Sequence, residues 1–132
     1  MDKAFIESYY RTYNSEDPES LSRFYHDDVE LISSQGVQAG VESILATYRY
    51  LISVFHDQMT PQKITISGNR AVVEIVDRFE AKQSINDFMG MKLSQGDCFE
   101  LNLRATYEVE GAKFKTITIE QIPHQVPGPG VK

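Results

Sequence analysis

Residues Arg70 to Lys82 read RAVVEIVDRFEAK, and the alternation within this stretch decides the fold class. Side chains of an extended strand point in turn to its two faces. One face carries Ala71, Val73, Ile75, Asp77, Phe79 and Ala81, and the other Val72, Glu74, Val76, Arg78, Glu80 and Lys82. The first set is apolar except for Asp77, as expected for a strand with one face on a core. Toward the C terminus, Cys98 to Val109 repeats the pattern. Phe99, Leu101, Leu103, Ala105 and Tyr107 share an apolar face, against Cys98, Glu100, Asn102, Arg104, Thr106 and Glu108. A turn at Glu110 and Gly111 leads into an extended run from Lys113 to Ile122, completing a second long hairpin. In the other direction, after Pro61, Ile64 and Ile66 alternate with Lys63, Thr65 and Ser67, and Gly68 with Asn69 makes the two-residue turn that leads into Arg70.

The first half of the chain has a different period. Phe5, Tyr9 and Tyr13 recur every four residues, which predicts a helix over Ala4 to Asn14. Asp17 followed by Pro18 reads as an N-cap with proline at the first helical position, and Leu21, Phe24 and Tyr25 supply the buried face of a short second helix. Val29 to Ser34 is a short strand, and Gly36 and Gly40 flank a possible second one. From Val41 the spacing of Ile44, Leu45, Tyr48, Leu51, Ile52 and Phe55 predicts a long third helix, with His56 and Asp57 at its C-terminal end. Helices first and antiparallel strands afterwards predict an α+β domain over residues 1–122, its helices gathered on one face of the sheet. Pro123 to Lys132 holds three of the five prolines and two of the eight glycines and is expected to be a tail outside the core.

The chain has 132 residues, 41% of them hydrophobic and 24% charged, which fits one soluble globular domain. Its net charge of −6 argues against a nucleic-acid partner, because counterion release from phosphates needs a basic surface. No apolar run is long enough for a membrane span, and the first residues lack the pattern of an export signal. A single cysteine, Cys98, allows no internal disulfide and fits a cytoplasmic location.

The order of elements carries a resemblance. A helix, a short helix leading into FYHDDVEL, the glycine-flanked GVQAG, a long helix, ITISGNRAVVEI, and two long strands joined at VEGAKF are similar to the nuclear transport factor 2-like superfamily, and within it to the SnoaL-like group. The resemblance covers Ala4 to Ile122. It implies a cone-shaped fold in which a strongly curved, antiparallel or mixed sheet wraps the helices around a pocket, and a homodimer joined through the sheet. The superfamily includes ketosteroid isomerase, polyketide cyclases, limonene epoxide hydrolase, dehydratases and members without catalysis, so it fixes fold better than function.

Several residues are candidates for chemistry. Asp77 is the lone charge on an apolar face. A buried carboxylate needs a partner, a raised pKa or a wet pocket, and the alternatives are a strand bulge or a paired aspartate at a pocket rim. By the resemblance, Tyr9 falls where the isomerase has the tyrosine that polarises its substrate's carbonyl. The isomerase's two catalytic carboxylates fall on Ser33 and Ala105, which cannot replace them. His26 lies beside Asp27 and Asp28 and could face the pocket; three consecutive residues rarely converge on one ion, so no metal is expected, and no cofactor. Tyr13, Tyr48, Phe55, Phe79, Leu101, Leu103 and Tyr107 are the expected ligand-binding wall. The segment Ser84 to Gly96, with Phe88, Met89, Met91 and Leu93, reads either as a cover over the pocket mouth or as a continued ribbon. Arg104 on the outer face could pair with Glu100 or Glu108 across a dimer contact, or face solvent.

These features leave a binding protein for a hydrophobic small molecule, an isomerase, cyclase or dehydratase-type enzyme using Asp77 with Tyr9 or His26, and a dimeric interaction module.

Overall fold

A computed structural model describes residues 1–123; the expected tail beyond Pro123 lies outside the described residues. Helix α1 (Lys3–Tyr13) starts at Asp2, whose carboxylate accepts from the Phe5 N–H at 2.9 Å. Helix α2 (Pro18–Ser22) starts at Asp17, which caps Ser20. Phe24 and Tyr25 do not belong to this helix: α2 is one short turn, and strand β1 (Tyr25–Ser33) begins at Tyr25. It is followed by β2 (Gly36–Ala39) and α3 (Val41–Val54).

The expected end of the third helix is corrected here. Helix α3 stops at Val54, and Phe55 begins strand β3 (Phe55–Ser67), so His56 and Asp57 are strand residues rather than a helix terminus. The strand passes through Pro61 with a register shift between Pro61 and Lys63. Proline is tolerated because β3 is an edge strand, where a missing N–H need not break a ladder. Next come β4 (Arg70–Ala81), β5 (Ile85–Phe88), β6 (Met91–Leu93), β7 (Cys98–Glu110) and β8 (Lys113–Gln121). The turn between β7 and β8 uses Gly111 and Ala112, both at positive φ, in place of Glu110 and Gly111.

Six strands form one mixed sheet in the order β2-β1-β8-β7-β4-β3, antiparallel except for the parallel pair β1 and β8. The sheet is curved around the helices and does not close into a barrel. Burial along β4 follows the sequence alternation: Ala71, Val73, Ile75, Asp77, Phe79 and Ala81 are buried and the residues between them are partly or fully exposed.

Two apolar clusters fill the concave side. The larger unites Ile6, Tyr9, Tyr10 and Tyr13 of α1 with Ile44, Leu45 and Tyr48 of α3 and with Val73, Ile75, Tyr107, Phe114 and Ile117 of the sheet. The smaller gathers Val54, Phe55, Phe79, Ala81 and Leu93, and Phe88 and Phe99 pack on it. Segment 84–96 forms a separate two-stranded hairpin of β5 and β6, not a continuation of β4 and β7. Its turn places Met89 and Gly90 at positive φ, as a tight two-residue hairpin turn requires.

Candidate active site

The concave side holds a cavity of about 530 Å³ that is partly open to solvent. Volumes of this order suit a small organic molecule. Tyr9 and Tyr13 of α1, Tyr48 of α3, Asp77 and Phe79 of β4, and Leu101, Leu103 and Tyr107 of β7 are among its lining residues. Phe55 is not; it is fully buried in the smaller cluster, with its ring 5.2 Å from Phe79 and 4.8 Å from Phe88. Ser33 lines the cavity, whereas Ala105 is buried away from it. His26 does not reach it. The imidazole lies at the surface, 3.5 Å from Glu110, because position 26 is on the outward face of β1. Phe88 and Met89 of the β5–β6 hairpin stand at the cavity, and Val37, Tyr50 and Met89 leave large apolar surfaces exposed beside it.

Asp77 is 2% exposed, and Asp57, which periodicity placed at a helix end, is 1% exposed. The pairing register explains how they meet. Asp57 lies opposite Phe79 and Met59 lies opposite Asp77, so the two carboxyls are diagonal neighbours on the inner face of β3 and β4. The two side chains are within hydrogen-bonding reach of each other, and among the described residues no other donor reaches the buried Oδ1 of either. Burial disfavours both charges. Desolvation, followed by the hydrogen bond and the negative charge of Asp57, drives the Asp77 pKa far above the usual carboxylate range. Desolvation also raises Asp57, partly offset by hydrogen bonds from Asp77 and Tyr13. Asp77 is therefore the group that keeps the shared proton longest.

Helix α1 fixes this arrangement from the other side. The Tyr13 hydroxyl donates to Asp57 Oδ2 at 2.7 Å, and the Tyr48 hydroxyl donates to the Tyr13 carbonyl at 2.5 Å. Asn14 clamps the end of α1 to β3, donating to the Met59 carbonyl at 2.9 Å and accepting from its N–H at 2.8 Å. Two phenol pairs complete the inner end: Tyr9 with Tyr25 at 2.8 Å, and Tyr10 with Tyr107 at 2.7 Å. Burial first of all raises the pKa of each of these phenols, so all four hold their protons at neutral pH. Beneath Asp57, Glu16 accepts from Lys82 at 2.8 Å and contacts His56 at 3.2 Å, so these two basic side chains belong to Glu16. Chemically the site offers one acid, a carboxylate behind it and a set of neutral hydroxyl donors.

The sequence profile of the SnoaL-like domain matches residues 6–117. The chain belongs to the SnoaL-like domain family. Solved structures of similar fold sit beside it at low identity. The SnoaL-like domain superposes with a TM-score of 0.76 on a candidate polyketide cyclase from Xanthomonas campestris pv. campestris, 18% identical over 89% of this chain and 87% of that one. An LEH-like epoxide hydrolase of M. tuberculosis gives 0.72 at 11% identity, covering 90% and 80%. A protein of ketosteroid isomerase-like fold from Catenulispora acidiphila DSM 44928, in complex with trimethylamine, gives 0.72 at 12% identity, covering 90% and 85%. At these identities the likeness establishes the fold. No curated protein matches the chain by sequence.

Proposed function

We propose that this SnoaL-like domain binds a hydrophobic small molecule in its concave cavity, with one polar group of that molecule received by Asp77 and the neighbouring phenols. One observation carries the reading: among the described residues Asp77 is the only Asp, Glu, Lys, Arg or His lining the cavity, whose walls are otherwise apolar, aromatic or neutral polar side chains. A carboxyl buried there with no basic partner costs stability, as groups reserved for a ligand do. The test is an amide-resolved NMR titration with progesterone and with a hydroxylated anthraquinone. Shifts are expected on the inner faces of α1, α3, β4 and β7; no response to either, or shifts confined to the outer sheet face, overturns the reading.

A second reading is enzymatic. The protonated Asp77 is a general acid, and after losing its proton a general base, toward a carbonyl or hydroxylated substrate, with Tyr9 as hydrogen-bond donor. The polyketide cyclase and epoxide hydrolase relatives favour it as analogy. The mechanism would differ from that of ketosteroid isomerase, because the sequence resemblance puts Ser33 and Ala105, neither of them a carboxylate, at the positions of its two catalytic carboxylates. His26 has no part in it. For assembly, we propose a homodimer through the outer face of β4, β7 and β8, where Glu74, Arg104, Thr106 and Thr118 present a mixed polar surface.

A further inference from the structure

We infer that the cavity is built for a hydrophobic amine, held as its ammonium ion between the Asp77 carboxylate and the surrounding aromatic rings. This rests on reading the cavity as a small-molecule site, and it names the class of molecule.

Charge is the first argument. Among the described residues no Lys, Arg or His lines the cavity, and Asp77 has Asp57 diagonally beside it on the same face of the sheet. Among the described residues neither carboxyl has an ion pair with a basic side chain, although both are almost fully buried. Two carboxyls in an apolar interior without a cation are costly. A cation in the cavity beside Asp77 supplies the missing countercharge. An anionic ligand would find no basic group among the described residues of the lining.

The walls make the second argument. Tyr9, Tyr13, Tyr48, Phe79 and Tyr107 line the same space as Asp77. Aromatic faces attract ammonium ions, and more so away from water. A neutral alcohol could share one hydrogen bond with the carboxyl but would gain neither the countercharge nor the ring attraction.

The proton balance follows. The titratable groups around Asp77 and Asp57 are Tyr9, Tyr10 and Tyr13 from α1, Glu16 from the turn after it and Tyr48 from α3, all of them acids, and the basic Lys82 and His56 are paired with Glu16. In the empty cavity Asp77 is protonated. When an ammonium ion binds, the Asp77 O–H bond breaks, its electron pair stays on the carboxylate, and the proton leaves to solvent. Affinity for a cation then rises about tenfold per pH unit while the amine itself stays protonated.

The experiment is calorimetry with adamantylamine, adamantyltrimethylammonium and adamantanol, each in buffers of different ionisation enthalpy between about pH 6 and pH 8. Both cations are expected to bind at least about tenfold more tightly than the alcohol and to release roughly one proton each. Asp77→Asn is expected to bring the amine down to the affinity of the alcohol. The inference is overturned, with the cavity reading left standing, if the alcohol binds as tightly as the amine, if the cations release no proton, or if the preference survives in Asp77→Asn. Proton release is read on the unaltered chain, so the test does not depend on the variant folding. If none of the three probes binds, the cavity reading falls as well.

Discussion

Asp77→Asn should make the protein more stable, and increasingly so as the pH rises. An aspartate in an unfolded chain titrates near 3.9. In the fold, desolvation and then the hydrogen bond and charge of Asp57 hold Asp77 far above that value. Between those two limits the folded chain binds one more proton than the unfolded chain, so Asp77 costs nothing below about pH 4 and destabilises progressively above it. The slope is about 1.4 kcal/mol per pH unit, which makes roughly 4 kcal/mol between pH 5 and pH 8. Against a typical domain stability of about 5–15 kcal/mol that is a large effect. Asparagine has nearly the same shape, loses no proton over this range, and can donate from its amide to Asp57. Urea unfolding followed by far-UV circular dichroism, at each pH unit for both chains, gives the difference curve. Every titrating group outside the Asp57–Asp77 pair is common to the two chains and largely cancels, and the asparagine amide gives Asp57 a neutral donor as the protonated Asp77 does. The variant should gain about 4 kcal/mol on the parent from pH 5 to pH 8, with the gap closing in acid. A difference independent of pH, or one that falls as pH rises, would mean that Asp77 is ionised in the fold and would refute the reasoning.

Tyr13→Phe removes the 2.7 Å donor to the buried Asp57 carboxyl and should cost about 1–3 kcal/mol in urea unfolding at neutral pH. Leu93→Ala should cost about 2–4 kcal/mol and speed amide exchange across β5 and β6, because Leu93 joins that hairpin to Phe55 and Phe79 in the smaller cluster. Arg104→Glu breaks pairs with Glu120 at 3.1 Å and Glu74 at 3.8 Å. Such partly exposed pairs are worth at most about 1 kcal/mol, so the fold should persist while sedimentation velocity records a dimer weakened toward monomer.

The sheet was legible wherever its period of two ran unbroken. From Arg70 to Ala81 every inward residue could be named from sequence, and the pairing of β4 with β7 then follows from matching apolar faces. The start of β3 was hidden for two physical reasons. Ile52 and Phe55 continue the helical spacing of α3 across the junction, so the change of period occurs inside an apolar run that both patterns explain. The inward face of the new strand is Phe55, Asp57, Met59, and an aspartate in the middle position erases the apolar signature. Pro61 then argues against a strand, an argument that fails only because β3 lies at the sheet edge with a local shift of register.

The same reasons separate the legible part of the site from the rest. Asp77 declared itself as a charge out of place on an apolar face, a signal contained in its own strand. Asp57 did not, because its partnership with Asp77 exists only in the register of two strands. The phenol pairs were equally out of reach: Tyr10 meets Tyr107 across 97 positions of sequence, and Tyr9 meets Tyr25 across 16. Yet these pairs bear directly on what the cavity can recognise. Each hydrogen bond uses one of two hydroxyl protons, and in either pair either hydroxyl can be the donor. Tyr9 and Tyr107 line the cavity, while Tyr10 and Tyr25 are not among its lining residues. When Tyr25 and Tyr10 donate, the protons of Tyr9 and Tyr107 are free for an acceptor in the cavity; when they accept, Tyr9 and Tyr107 present lone pairs to a donor. The phenols can therefore answer either polarity of ligand by rotating hydroxyls. Asp77 answers differently: protonated it donates to a neutral acceptor, and it becomes an acceptor only by taking on a charge that a cation in front of it must balance, so the carboxyl rather than the phenols sets the charge of a ligand that draws its proton off.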